Sequence, residues 1–490
     1  MYFKQKVLFM ENDTPNIQLE MNFSTPSGNR FRRCLDNGVF TVLFEHAAPG
    51  MELADNDAAM RLAELEKIVL AFRELPAALA LTDRSFSDNA RRAVDYAALL
   101  PEKHRNSHLI YISGRNTSDE QFKSLIAQAK ACNLANIVAV SGDSRPGESV
   151  RELRNMDFCE SIRALQLLKN SDERQEFFAG ATVNGHLSSA PALYSSLFKL
   201  VKKFNAGAEF AVSQAGFDMA QLDALRRYLS WRGYHQPLIA RLLLLTPDKV
   251  EKIMAKALPG ITISQDFLMM LEKELRFSAS QFEAAQYRRL ELQAAGCKLL
   301  GYSGIQISGA DTPAKIHIAF ERVCRALKEF TNLKSWEEEY RFYMARSDMA
   351  PADQSFYLFE DLLQGMLSDS SAPRLTEYQL PCQSFAGKIG DWARRFFFPD
   401  ANLQAADERR WLKKLLAGCV GCNNCRLPLT QFYCTERCPK RLSNGVCGGV
   451  RSSGECEAGN QLCVHWQIWH AAERKRESDT LENDMIPPGK

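Results

Sequence analysis

Ile137-Val138-Ala139-Val140-Ser141-Gly142-Asp143 runs four apolar residues into a hydroxyl, a glycine and a carboxylate. A short aliphatic and β-branched run of this kind reads as a buried strand whose carboxyl end opens into a polar loop. The same shape recurs on both sides of it. Eight strand candidates lie between Asn29 and Ala326: Val39–Glu45, Ala78–Thr82, His108–Ser113, Ile137–Asp143, Phe177–Val183, Phe210–Gln214, Pro237–Leu245 and Gly304–Ser308. Amphipathic stretches separate them, among them Asp55–Phe72, Asp119–Cys132, Leu193–Phe204, Ala220–Arg232 and Pro247–Ala257. Each opens near an Asp, Ser, Thr or Pro suited to a helix start. Eight such alternations in roughly 280 residues match a closed (β/α)8 TIM barrel, with an open doubly wound sheet as the alternative.

Barrels of this type carry their chemistry at the carboxyl ends of the strands. Five of the candidates end in polar groups: Glu45-His46, Thr82-Asp83, Ser113-Gly114-Arg115-Asn116, Ser141-Gly142-Asp143 and Ser213-Gln214. Any one of these is what a loop start looks like. Five together, with carboxylates among them, predict a site at that end.

With 490 residues and 46% hydrophobic content the chain can bury one large core or two to three smaller ones. A net charge of +2 gives no general electrostatic case for nucleic acid or an anionic membrane. The apolar run Leu238 to Leu245, interrupted by Arg241, falls well short of the roughly 20 residues a membrane span needs. Met1 to Met10 offers only Val7-Leu8-Phe9-Met10 as an apolar stretch, so a cytoplasmic location is expected.

Eight of the 14 cysteines fall between Cys419 and Cys463: Cys419, Cys422, Cys425, Cys434, Cys438, Cys447, Cys456 and Cys463. In a reducing compartment such a cluster is a ligand set more often than a disulfide staple. Cys419, Cys422 and Cys425 followed by Cys438-Pro439 share the layout of [4Fe–4S] ligation, leaving Cys434, Cys447, Cys456 and Cys463 for a second site. Two structural zinc sites of four cysteines each would use the same thiolates. Cys34, Cys132, Cys159, Cys297, Cys324 and Cys382 lie singly among apolar residues and read as buried structural thiols, and His465 and His470 as surface or packing residues. The expected organisation is an N-terminal extension (1–28), the barrel (29–328), an aromatic-rich helical connector (329–410), a Cys-rich metal-binding module (411–470) and a flexible tail (471–490).

Four segments of the barrel resemble the methylenetetrahydrofolate reductase family. They are Phe44-Glu45 at the end of the first strand, the Ile137–Asp143 run, the stretch from Lys203 through Ala206-Gly207-Ala208 to Gln214 with Phe217-Asp218 behind it, and Pro259-Gly260-Ile261. Cys438-Pro439-Lys440-Arg441-Leu442-Ser443-Asn444-Gly445-Val446-Cys447-Gly448-Gly449 resembles the hallmark of a module attached to or partnered with that family.

The resemblance implies hydride transfer from a reduced flavin to 5,10-methylenetetrahydrofolate, giving 5-methyltetrahydrofolate. FAD is the expected cofactor and FMN the alternative, with reducing equivalents from NAD(P)H or from a protein electron donor. Glu45 is implied as general acid at N10, its pKa expected to be raised by burial. Asp143 is implied to tune the electrostatics beside flavin and substrate, and Gln214 to meet the pterin amide edge. Thr82, Tyr111, Ser141, Gly142, Asp143, Lys202 and Lys203 are implied as flavin contacts. Folate is the expected small-molecule partner; no nucleic-acid partner is expected, and an oligomer is compatible with the sequence.

Three positions depart from the family pattern: Tyr111 where a His is usual, Val183-Asn184-Gly185-His186 without the usual Pro, and Arg241-Leu242-Leu243-Leu244-Leu245 where Gly and Pro are usual. They leave open the flavin type and the nicotinamide contact, and Tyr111 with the altered seventh strand leaves open a non-catalytic electron-transfer or assembly subunit; a folate- or corrinoid-dependent methyltransferase, which can also use a barrel, is the other alternative.

Overall fold

Eight parallel strands close on themselves in sequence order: β1 Thr41–Ala47, β2 Ala77–Thr82, β3 Leu109–Ser113, β4 Asn136–Val140, β5 Phe178–Val183, β6 Phe210–Ser213, β7 Leu238–Leu243 and β8 Gly304–Ser308. All eight candidate strands are present, trimmed by a few residues at their ends, and the sheet is a barrel rather than an open sheet. This computed structural model describes residues 28–83, 89–171, 176–344, 356–363, 374–380, 385–397, 410–422, 424–451 and 453–487.

Strand periodicity of two sorts the side chains. Leu43, Leu109, Tyr111, Val138, Phe178, Phe210, Val212 and Ile239 fill the barrel interior, while Val42, Phe44, Ile305 and Ile307 face the surrounding helices. The amino end is plugged by the short helix Arg30–Asp36. Its Phe31 meets Phe178 and Phe210 edge-on, with ring centroids 6.0 and 5.6 Å away. Asn29 caps that helix through the Arg32 N–H and donates to the Asn136 side chain at 2.6 Å. With the bottom closed, the open end of the barrel is the carboxyl end.

The helices follow the amphipathic stretches closely, as with Asp119–Ala131, whose Ser118 and Gln121 form a capping box. Of the connector, Leu333–Tyr343, Glu360–Leu363 and Phe385–Phe397 are helical. Trp336 is wholly buried against the helix Ala279–Leu299 and donates its indole N–H to the Leu292 carbonyl at 2.6 Å.

The Cys-rich segment has little regular structure before the helix Val464–Arg474, whose Trp469 stacks on Tyr194 of the barrel helix Ala190–Asn205. The expected flexible tail is instead docked. Residues Ser478–Asn483 form a helix, Tyr228 donates to Glu482 at 2.9 Å, and Ile486 exchanges two backbone hydrogen bonds with the Asn444 side chain. Single apolar residues, Leu481 and Ile486, anchor a stretch whose charges masked them in the sequence.

Cys159, Cys297 and Cys324 are buried as expected, Cys34 and Cys132 are half-buried, and Cys382 lies outside the described residues. Among the described residues no helix is long and apolar enough to cross a membrane.

Candidate active site

The alternation that fills the barrel interior also decides which side chains reach its mouth. Leu43 points inward, so Glu45 does too; Tyr111 follows Leu109, Arg241 follows Ile239, and Gln306 and Ser308 share the inner face of β8. Arg241 and Gln306 are direct neighbours across β7 and β8. These groups form one network.

Arg241 donates from Nη2 to Glu45 Oε1 at 2.6 Å, from Nη1 to Gln214 Oε1 at 2.8 Å and from Nε to Ser308 Oγ at 2.9 Å. The other Glu45 oxygen accepts from Ser308 at 2.7 Å and from Gln306 Nε2 at 2.8 Å. Tyr111 completes the chain by donating to Gln306 Oε1 at 2.6 Å. Burial pushes the Glu45 carboxyl up, but the Arg241 charge and the hydrogen bonds from Ser308, Arg241 and Gln306 outweigh it, and the pKa lies below its ordinary value. The expectation of a raised Glu45 is thus overturned by a partner 196 residues away in the chain.

Above this network lies a cavity of about 320 Å³. Glu45, Thr82, Tyr111, Ser141, Gly142, Asp143, Lys203 and Gln214 all line it, so eight of the nine barrel residues singled out in the sequence converge on one space. Asp143 is raised above the ordinary carboxylate range by burial and by Glu457, against the pull of Lys440, Arg241 and Arg115. Lys203 donates to the Thr182 carbonyl at 2.6 Å, and burial, with the like charge of Lys199, lowers it to about 7. Ser141 accepts from the Ser161 N–H. Gly142 sits at φ +86, where an added Cβ would meet Ser113 Oγ at 2.7 Å and Arg115 Cβ at 2.5 Å, so the loop closes this tightly only with glycine.

Lys202 is the exception. About 100° around the helix from Lys203, it is buried in a small crevice with Asn444, His465 and Ile486, away from the cavity.

The rest of the cavity wall comes from the Cys-rich module. Val446, Cys447 and Gly448 line it beside Pro259 and Ile261. Asn184 donates to both Gly448 O and Gly260 O, and Lys440 donates to Gly142 O at 2.8 Å while pairing with Glu457. Glu160 accepts from the Ser443 and Asn444 backbone N–H groups and pairs with Lys199 at 2.9 Å. The sequence singled out none of Gln306, Ser308, Asn184 or Glu160 as site residues. Arg241 stood out as a charged residue inside an aliphatic strand and within a stretch that differs from the resembled pattern, and that was the available signal.

The eight module thiols fall into two neighbourhoods. Cys434 feels Cys419 and Cys422 and packs with Cys425, while Cys438 and Cys447 each feel Cys456 and Cys463. Cys434 and Cys438 therefore exchange places relative to the grouping expected from spacing. Four thiols in each neighbourhood are the donor set a tetrathiolate zinc or an iron–sulfur cluster takes. Among the described residues, no three His, Cys, Asp or Glu side chains are drawn close enough to hold an ion. His465 and His470 are buried; His465 is hydrogen-bonded to the Leu442 carbonyl and His470 lies against the Trp466 ring, so both are packing residues.

A plugged parallel barrel with a carboxylate, a guanidinium and amides around an apical cavity defines a (β/α)8-barrel protein of enzyme layout. Residues 30–290 match the family described as Methylenetetrahydrofolate reductase, and residues 398–490 match Methylene-tetrahydrofolate reductase C terminal. The chain belongs to the methylenetetrahydrofolate reductase family.

Among solved structures, an uncharacterized protein from Clostridium thermocellum that binds two copies of 5-methyl-5,6,7,8-tetrahydrofolic acid is similar over 61% of this chain and 99% of its own. Its identity is 14% and its TM-score 0.44. N-(5'-phosphoribosyl)anthranilate isomerase from Pyrococcus furiosus is similar over 60% and 100%, at 13% identity and TM-score 0.31. No curated protein matches.

Proposed function

We propose that this chain reduces 5,10-methylenetetrahydrofolate to 5-methyltetrahydrofolate with a bound flavin. The observation that carries the reading is the convergence of Glu45, Asp143 and Gln214, from three different strand ends, on one cavity in a chain of this family. The residues present fit a flavin ring. Thr82, Ser141 and Gly142 offer hydroxyl and backbone groups along one wall, Lys203 adds a hydrogen-bonding amine, and the volume of about 320 Å³ is at the lower end of the roughly 300–1,000 Å³ usual for ligand pockets.

Bound flavin, FAD in the first instance, supplies the hydride. The chain's own residues do the rest. In this reading Gln214 meets the amide edge of the pterin, and Glu45, which also lines the cavity, passes a proton to N10 as the imidazolidine ring opens. Asp143 faces the space in which the substrate becomes an iminium cation, and that growing positive charge favours its ionised form against the cost of burial.

The two neighbourhoods of four cysteines are proposed as metal ligands, as iron–sulfur clusters or structural zinc. Cys447 lies in the cavity wall, which supports reading the second neighbourhood as close to the reacting groups. That position supports electron delivery from a protein donor through the module, with NAD(P)H as the other reductant.

The test is anaerobic. Purified protein is expected to show a flavin spectrum that bleaches with dithionite and recovers when 5,10-methylenetetrahydrofolate is added. A colourless protein that binds folate stoichiometrically would instead favour a methyltransferase. A flavin that stays reduced after the folate is added would favour a non-catalytic subunit.

A further inference from the structure

Arg241 is a charged residue inside an otherwise aliphatic strand, and it donates to three site side chains, Glu45, Gln214 and Ser308. We propose that Arg241 is a positioning residue that locks Glu45 and Gln214 together across the barrel mouth in the ligand-free chain, and that both must let go of it before Glu45 protonates folate. The inference rests on the reading of the cavity as a folate-reducing site.

The geometry makes the argument. Glu45 Oε1 faces Arg241 Nη2, and Oε2 faces both the Ser308 hydroxyl and the Gln306 amide nitrogen. All three are donors as arranged. The network as it stands is therefore that of an ionised carboxylate: a neutral carboxylic acid must point its own proton at an acceptor, and Glu45 gains one only when a partner that now donates, the Ser308 hydroxyl or Arg241, turns away from it.

Gln214 is committed in the same way. Its Oε1 accepts from Arg241 Nη1 and from the Ala215 N–H, while its Nε2 reaches only the Pro259 carbonyl, at 3.4 Å. A pterin amide edge therefore meets a Gln214 whose acceptor is occupied, and taking it up means displacing the guanidinium. The charged and titratable groups facing the pair are Tyr111 from β3, Asp143 beyond β4 and Lys249 from the helix Pro247–Met254, which is in turn faced by Asp311. The lowered Glu45 pKa agrees with this arrangement.

The experiment reads Glu45 directly, by infrared difference spectra of the full chain across pH. The protonated-carboxyl band that disappears in Glu45→Gln reports this residue. In Arg241→Leu the band is expected to appear at least about one pH unit higher than in the wild type, a tenfold rise in proton affinity. Arg241→Lys keeps the charge without the fork and is expected in between. The alkaline limb of kcat/KM for folate reduction should move the same way, whereas a merely structural loss would lower activity equally at every pH.

Coincident bands in wild type and Arg241→Leu would overturn the proposal. If Arg241→Leu does not fold, coincidence of wild type and Arg241→Lys does so. A wild-type protein that fails to reduce methylenetetrahydrofolate would sink the functional reading, while the infrared comparison still decides whether Arg241 governs Glu45.

Discussion

Asn184, at the end of the fifth barrel strand, donates a 2.8 Å hydrogen bond to the carbonyl of Gly448 in the Cys-rich module. The same amide nitrogen holds Gly260 at 3.0 Å, and its oxygen accepts from the His186 N–H. One side chain thus ties strand end, loop and module together. Asn184→Ala strands two carbonyls, each worth about 1–3 kcal/mol if buried unpaired. The melting temperature is expected to fall, and amide exchange across residues 442–450 to speed up more than across the barrel strands.

Gly260 gives a second handle on that contact. It sits at φ +75, and a Cβ there would meet the Gly448 carbonyl oxygen at 2.4 Å. Gly260→Ala should therefore push the module away from the cavity wall as well as straining the turn by about 1–2 kcal/mol. The expected readout is a weaker folate KM with a barrel that still folds, checked by circular dichroism.

Glu45→Gln keeps the size of the side chain but removes the charge and the proton. Folate reduction is expected to fall by at least about a hundredfold, while flavin content stays unchanged, because no flavin contact is altered. Retained turnover would remove Glu45 from the chemistry.

Acid should undock the module. Burial pushes the Glu160 carboxyl up, but Lys199, Asn444 and Ser443 more than reverse this, holding it at about 2 against an ordinary 4.5. A depressed carboxylate contributes stability that is fully present above its unfolded pKa and lost as pH falls through the folded one, here between about 4.5 and 2. The loss amounts to about 3 kcal/mol. Trp469 stacks on Tyr194 across this interface, so a fluorescence change in that window is expected, and Glu160→Gln should abolish it.

Metal analysis of single Cys→Ser variants tests the two neighbourhoods. Cys434→Ser should cost the same fraction of bound metal as Cys419→Ser, and Cys438→Ser the same fraction as Cys463→Ser. Pairing of Cys438 with Cys419 instead would restore the grouping that spacing alone expects.

What the sequence made legible was local. Apolar runs separated by amphipathic stretches are set by side-chain periodicity, so all eight strands could be read from it, and polar strand ends pointed to Glu45, Asp143 and Gln214. What it hid was long-range. Glu45 looked like a carboxyl raised by burial because Arg241 and Ser308 lie 196 and 263 residues away. Lys202 looked equivalent to Lys203 because adjacency in sequence is divergence around a helix. The tail looked frayed because its anchors, Leu481 and Ile486, are isolated among charges.

Val446, Cys447 and Gly448 are wall, not neighbour, to the reaction space. The capacity of that space is consequently not a property of the barrel alone, and because the two parts share one chain, no dilution of the protein can separate the pocket from its own side.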